Sequence, residues 1–148
     1  MAVSIRPTGG ELHDLVRQAF QSFQQQLDGR TSGLGVTSSQ WRVLRQLWLT
    51  DGRCQSDLAS LLGISQATLT MILQGLEKKG LVDRRRNAAN RREMLVFLTV
   101  RGRDLQEKLL PAICDVHARA SCAIPDKELD QLKTLLRQLI DNLDPLRP

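Results

Sequence analysis

GISQATLTMILQGLEKKGLV, residues Gly63 to Val82, is the stretch that decides the fold. Ser65 stands where a side-chain acceptor caps a helix, the next residues are short and polar, and Gly80 stands where a helix ends. Between them Leu69, Ile72, Leu73 and Leu76 follow i, i+3, i+4, i+7 spacing and predict a buried stripe. That turns Ala67, Thr70, Met71, Gln74 and Lys78 outward, with Gln66 and Thr68 on the flanks, and the outward face carries no acid.

Working outward, the preceding QSDLASLLGIS predicts a shorter helix with Leu58, Leu61 and Leu62 on one face, closed by Gly63. Two short helices joined by a glycine-containing turn are what a DNA-binding helix-turn-helix requires, because the first must brace the second at a steep angle. After Gly80 the period changes. LVDRR and MLVFLT are apolar, β-prone runs, and RNAANRRE between them supplies turn-forming asparagines and arginines, which predicts a hairpin with a cationic tip. Helix, turn, helix and hairpin together occupy Ser56 to Thr99.

The charge is concentrated in the same place. Lys78, Lys79, Arg84, Arg85, Arg86, Arg91, Arg92, Arg101 and Arg103 face two local acids, Asp83 and Glu93, a balance of +7 in a chain whose total is +5. Basic runs are often only solvated surface, but phosphate neutralisation by Lys and Arg supplies most non-specific DNA affinity, and a cluster beside a recognition helix is its footprint.

On these residues the chain resembles a winged helix-turn-helix regulator of the MarR (multiple antibiotic resistance) family, over nearly its whole length. GLVDRRRNAANRREMLVFLTVRG, Gly80 to Gly102, is similar to that family's wing and the start of its next helix, with Arg84, Arg85, Arg91 and Arg92 on the wing arginines. The resemblance implies that the wing enters a minor groove, with Arg92 as the inserted side chain, while the Ser65 to Lys79 helix lies in the major groove. Two positions depart from the family pattern. Asn90 stands where an Asp usually fixes the wing arginines, and Asn hydrogen bonds without forming an ion pair. Met71 stands where relatives often carry Arg, so that apolar contact with thymine methyls replaces a polar one.

Glu11 to Leu27 carries a continuous stripe of Leu12, Leu15, Val16, Ala19, Phe20, Phe23 and Leu27, with Gly29 following as a stop. Thr37 and Gln40 form a capping box for a helix running to about Thr50, where Asp51-Gly52 turns the chain. Thr99 caps a long helix with a stripe of Leu105, Leu109, Ile113, Val116 and Ala120 and a bend expected at Pro111; Ile124-Pro125-Asp126 breaks it. A last helix carries Leu129, Leu132, Leu136, Leu139, Ile140 and Leu143. The outer helices cannot all bury their stripes on a small helix-turn-helix core. Packing against a second copy resolves this, and a two-fold dimer sets two recognition helices about 34 to 36 Å apart. The family resemblance implies the same arrangement.

The fold expected is therefore mainly α (α+β), one domain over 1–148: a winged helix-turn-helix DNA-binding region at 37–99, flanked by dimerisation helices at 11–29 and 100–144.

A small-molecule site is a second expectation. Trp41, Arg45 and Trp48 share one face, and an Arg between two indoles reads either as a stacked structural guanidinium, about 0.5 to 2 kcal/mol, or as the receiver of an aromatic ligand's carboxylate. His13, on the edge of the first helix's apolar stripe, lies a turn before Arg17; the two read as the opposite wall, or His13 as a merely structural helix-edge histidine. The family resemblance implies phenolic or carboxylated aromatics nearby, whose binding alters the spacing of the recognition helices.

G-x-S-x-G, P-loop, dinucleotide and HExxH motifs are all lacking, so no enzyme is expected. Cys54, Cys114 and Cys122 show neither CxxC nor zinc spacing, so no metal or cofactor is expected. No signal-peptide or membrane-length apolar run is evident, which predicts a cytoplasmic protein. The leading expectation is a homodimeric, ligand-responsive repressor at a pseudo-palindromic operator. The alternatives are a thiol-based redox regulator of the same fold, or an interaction module that has lost DNA binding.

Overall fold

In the computed structural model, which describes residues 9–144, six α-helices and a small sheet follow one another as α1 (Gly9–Thr31), α2 (Ser38–Leu49), β1 (Arg53–Cys54), α3 (Gln55–Leu62), α4 (Gln66–Lys78), β2 (Val82–Arg86), β3 (Met94–Leu98), α5 (Val100–Ala120) and α6 (Asp126–Leu143). The stretch on which the signal-peptide expectation bears lies partly outside the described residues. No single described helix is long and apolar enough to cross a membrane.

The chain divides into two compact units at Cys114 and Asp115, with α5 running across the boundary and unbroken through Pro111. In the first unit, Val43, Leu44 and Leu47 of α2, Leu58 of α3, Leu69, Leu73 and Leu76 of α4, and Val82 and Val96 of the sheet are fully or almost fully buried. They form the core on which the helix-turn-helix is built. In the second unit, α6 buries none of its residues: Leu132, Leu136, Ile140 and Leu143 all remain exposed.

Local signals explain the element ends. Thr37 caps α2 with the full box, its Oγ1 accepting from the Gln40 N–H at 3.2 Å and its own N–H donating to Gln40 Oε1 at 3.3 Å. Arg42 donates to the Leu62 carbonyl at 2.8 Å, satisfying an orphan acceptor at the end of α3. Gly63, at φ 64°, turns the chain so that the axes of α3 and α4 differ by 110°. The sheet order is β1-β3-β2, antiparallel throughout, with Val82 opposite Leu98 and Arg86 opposite Met94.

Several expectations need correction. The first helix does not stop at Gly29: it runs to Thr31, whose hydroxyl donates to the Leu27 carbonyl, and a short 3-10 turn at Ser32–Leu34 follows. Leu61 is 49% exposed, because Leu58, Ala59 and Leu62 define the inner face and Leu61 falls about 100° from the centre of that face. Strand β1 was not expected; it pairs Arg53 with Val96 and Cys54 with Leu95.

Asp51 does more than make a turn. Its Oδ1 accepts from the N–H groups of Gly52 (3.0 Å) and Leu98 (2.8 Å), and its Oδ2 accepts from Arg103 at 2.8 Å, so one carboxylate bolts the end of α2 to β3 and α5. Burial pushes this carboxyl up, but the hydrogen bonds from Arg103, Leu98 and Gly52 outweigh it and hold the pKa below its ordinary 3.8. A depressed folded-state pKa stabilises the fold fully above about pH 4, and that stability is lost as pH falls further. Replacing Asp51 with Asn should therefore cost about 1 to 2 kcal/mol at pH 7, and the gap from the parent should narrow at pH 3 in denaturant melts. An equal gap at both pH values refutes this role.

Candidate nucleic-acid interface

The N-terminus of α4 is built by Ser65, whose Oγ accepts from the Thr68 N–H at 3.1 Å and lies 2.8 Å from Thr68 Oγ1. The C-terminus closes at Gly80, φ 66°, with the Gly80 N–H on the Glu77 carbonyl and the Leu81 N–H on the Leu76 carbonyl. Between these ends the helix divides much as its periodicity predicts. Leu69, Leu73 and Leu76 are wholly buried, Ile72 is half-buried, and Gln66, Ala67, Thr68, Gln74 and Lys78 are exposed. Met71 is 73% exposed, a large apolar side chain in the middle of a solvent face. Thr70 is half-buried against α3: its Oγ1 donates to the Gln66 carbonyl and accepts from Gln55 Nε2 at 2.9 Å.

The wing begins and ends at one point. The Thr99 N–H donates to the Leu81 carbonyl at 3.1 Å and its Oγ1 to the Gly80 carbonyl at 2.6 Å, while the same oxygen accepts from the Gly102 N–H and starts α5. Trp48 Nε1 donates to the Gly102 carbonyl at 3.0 Å, tying α2 to the same spot. A Cβ on Gly102 collides with the Leu81 carbonyl, so only glycine allows this approach.

The wing arginines have different surroundings. Arg84 forms a 2.7 Å ion pair with Glu77 of α4, both side chains being mostly shielded, and that partner raises its pKa further. Arg85 is exposed, 3.6 Å from Asp83 and stacked on the Phe97 ring at 5.2 Å. Arg86, Arg91 and Arg92 are exposed and, among the described residues, enter no ion pair. The turn between the strands is held by Asn87 and Glu93, which exchange a backbone bond and a 2.8 Å side-chain bond, and by Asn90, whose Oδ1 accepts from the Arg92 N–H at 3.2 Å. Asn90 thus fixes the backbone under Arg92 rather than its guanidinium.

The residues singled out for a ligand are only partly brought together. Trp41 is buried with the exposed Arg45 guanidinium 6.0 Å from its ring centre, and Trp48 is half-buried. His13 and Arg17 are exposed on α1, 3.9 Å and 3.4 Å from Asp14. The three cysteines are unbridged, and no metal-binding cluster occurs among the described residues.

Residues 36–94 match the model of the MarR family, a family of transcription regulators rather than enzymes. A MarR transcriptional regulator from Methanosarcina mazei Go1 has the same fold at 22% identity, TM-score 0.81, covering 90% of this chain and 96% of that one. AbfR bound to DNA is 29% identical, TM-score 0.77, over 93% and 92% of the two chains. A cysteine-to-serine mutant of E. coli MarR complexed with operator DNA is 26% identical, TM-score 0.81, over 87% and 93%. The chain has the winged-helix fold of MarR-family regulators.

Arg84 and Arg85 should separate in a stability measurement. Arg84→Ala leaves the Glu77 carboxylate shielded and unpaired and should cost about 1 to 2 kcal/mol, whereas Arg85→Ala at an exposed pair should cost about 0.5 kcal/mol or less. Equal losses in urea titrations contradict the assignment of Arg84 as the brace between wing and helix.

Proposed function

Residues 36–94 being a MarR-family domain, we propose that this chain is a homodimeric, sequence-specific DNA-binding regulator, acting as a repressor at a pseudo-palindromic operator. The observation that carries the reading is the pairing of an acid-free outward face on α4 with unpaired arginines at the wing tip. Ser65, Gln66, Ala67, Thr68, Met71, Gln74 and Lys78 meet a major groove, where Met71 and Ala67 suit thymine methyls and Gln74 suits adenine. Thr70 and Arg84 act chiefly by holding the reading surface in shape. Arg91 and Arg92 meet the flanking backbone and minor groove, whose negative potential attracts an inserted guanidinium. The neighbours bound to DNA support this reading.

Dimerisation is supported by the apolar faces of the outer helices. Leu12, Leu15, Phe20 and Phe23 of α1 are exposed, as are Leu132, Leu136 and Leu143 of α6. Large apolar residues left exposed along a helix stripe suit burial against another surface. The regions divide as 37–99 for DNA, with 11–29 and 100–144 for the second copy. Response to an aromatic or carboxylated ligand is supported by Arg45 over Trp41, where the guanidinium remains accessible from solvent, with His13, Arg17 and Trp48 as further contacts.

Selection from a random duplex pool should enrich two inverted half-sites about 10 base pairs apart, centre to centre. On that selected duplex, Arg92→Ala should weaken binding by about 1 to 3 kcal/mol at fixed salt. Absence of enrichment, or unchanged affinity of the variant, removes sequence reading or Arg92 respectively.

A further inference from the structure

A protein helix in a major groove can read bases by hydrogen bonds to their edges or by apolar contact with the C5-methyl group that marks thymine. Which of the two dominates depends on what the outward face of α4 still has to offer.

Most of its hydroxyl capacity is already used. Ser65 Oγ accepts from the Thr68 N–H at 3.1 Å and lies 2.8 Å from Thr68 Oγ1, so the two hydroxyls share one hydrogen bond and keep a single spare proton between them. Thr70 Oγ1 donates to the Gln66 carbonyl at 2.9 Å and accepts from Gln55 Nε2 at 2.9 Å. It has no proton left to give. A base edge that recruited Thr70 as a donor would first break a bond inside the protein, which cancels most of the gain.

The centre of the face is apolar. Ala67 and Met71 stand four residues apart, hence one above the other along α4, and both are exposed, Met71 at 73%. Gln74 and Lys78 continue the same strip, three and seven residues after Met71. Met71 is flanked by no acid on this face, and its flexible, polarisable thioether adapts to an apolar surface of irregular shape. Left to water it gains nothing; covered by a methyl group it does.

We propose that Met71, assisted by Ala67, reads a pyrimidine C5-methyl group in each half-site, so that binding distinguishes thymine from uracil and 5-methylcytosine from cytosine at that position. This rests on the regulator reading above and adds the chemical feature that the middle of α4 recognises. A C5-methylated cytosine carries the same group at the same place on the ring as thymine does. Occupancy of a site therefore depends on its C5 methylation as well as on its sequence.

The test uses the full chain and the duplex it selects from a random pool. Deoxyuridine replaces thymidine at each position in turn, which deletes one methyl group and leaves every base hydrogen-bonding group in place. At one symmetric position Kd should rise about fourfold per half-site, and about fifteenfold with both half-sites changed, as expected for one methyl group lost from an apolar contact. Met71→Ala, at an exposed position, should melt like the parent yet bind the thymine and uracil duplexes within about twofold of each other. In a second arm a C·G pair replaces the same T·A pair, and methylation of that cytosine at C5 should recover at least about threefold in affinity with the parent and none with Met71→Ala. The proposal alone is overturned, and the regulator reading left standing, if uracil is tolerated at every thymine, if the uracil penalty persists in Met71→Ala, or if 5-methylcytosine binds no better than cytosine. Failure to select any duplex defeats the regulator reading and the proposal with it.

Discussion

The junction around Gly80 is the constraint on which the rest of the reading surface depends. A left-handed residue ends α4, the Leu81 N–H closes the last turn, and the Leu81 carbonyl immediately receives the Thr99 N–H from the far end of the wing. Both strands of the hairpin are therefore anchored where the helix stops, and Thr99 in turn starts α5. Only a glycine at Gly102 lets the α5 backbone come this close to Leu81. Helix and wing consequently behave as one piece, with the Arg84 to Glu77 pair as a second brace farther along β2. Preorganisation of this kind matters because ordering loops and side chains on binding is costly, and a surface already held in shape avoids much of that loss.

The arginines of one short segment thus divide their labour by position. Arg84 alternates with its neighbours along β2 and faces the helix, so that its charge is used internally. Arg85, on the other face, lies over Phe97. Past the strand, Arg91 and Arg92 have no acid within pairing distance among the described residues, and the turn that carries them is fixed by the short side chains of Asn87 and Asn90. A basic tip with a rigid backbone and unengaged guanidiniums is suited to a polyanion, since nothing must be broken before phosphate contact.

Periodicity and capping made most of this legible in the sequence. The faces of α4, the Thr37 and Ser65 caps, the glycine stops at Gly63 and Gly80 and the hairpin all follow from local rules acting on neighbouring residues. What escaped depends on partners distant along the chain. Strand β1 is two residues long and exists because β3 is beside it, and no alternation can reveal so short an element. The carboxylate of Asp51 meets Leu98 and Arg103 across about fifty residues of chain, and Arg84 meets Glu77 only once the wing has folded back. Gly29 lies inside α1 because a lone glycine lowers helix propensity by only about 1 kcal/mol.

The central claim, that the wing tip and α4 form a preassembled cationic surface for duplex DNA, is tested most directly by the salt dependence of duplex binding. A dimer placing the exposed arginines of both wings and both Lys78 side chains on phosphates should lose affinity linearly in log salt, with a slope of about −5 or steeper. A slope near zero, or no duplex binding even at low salt, contradicts it.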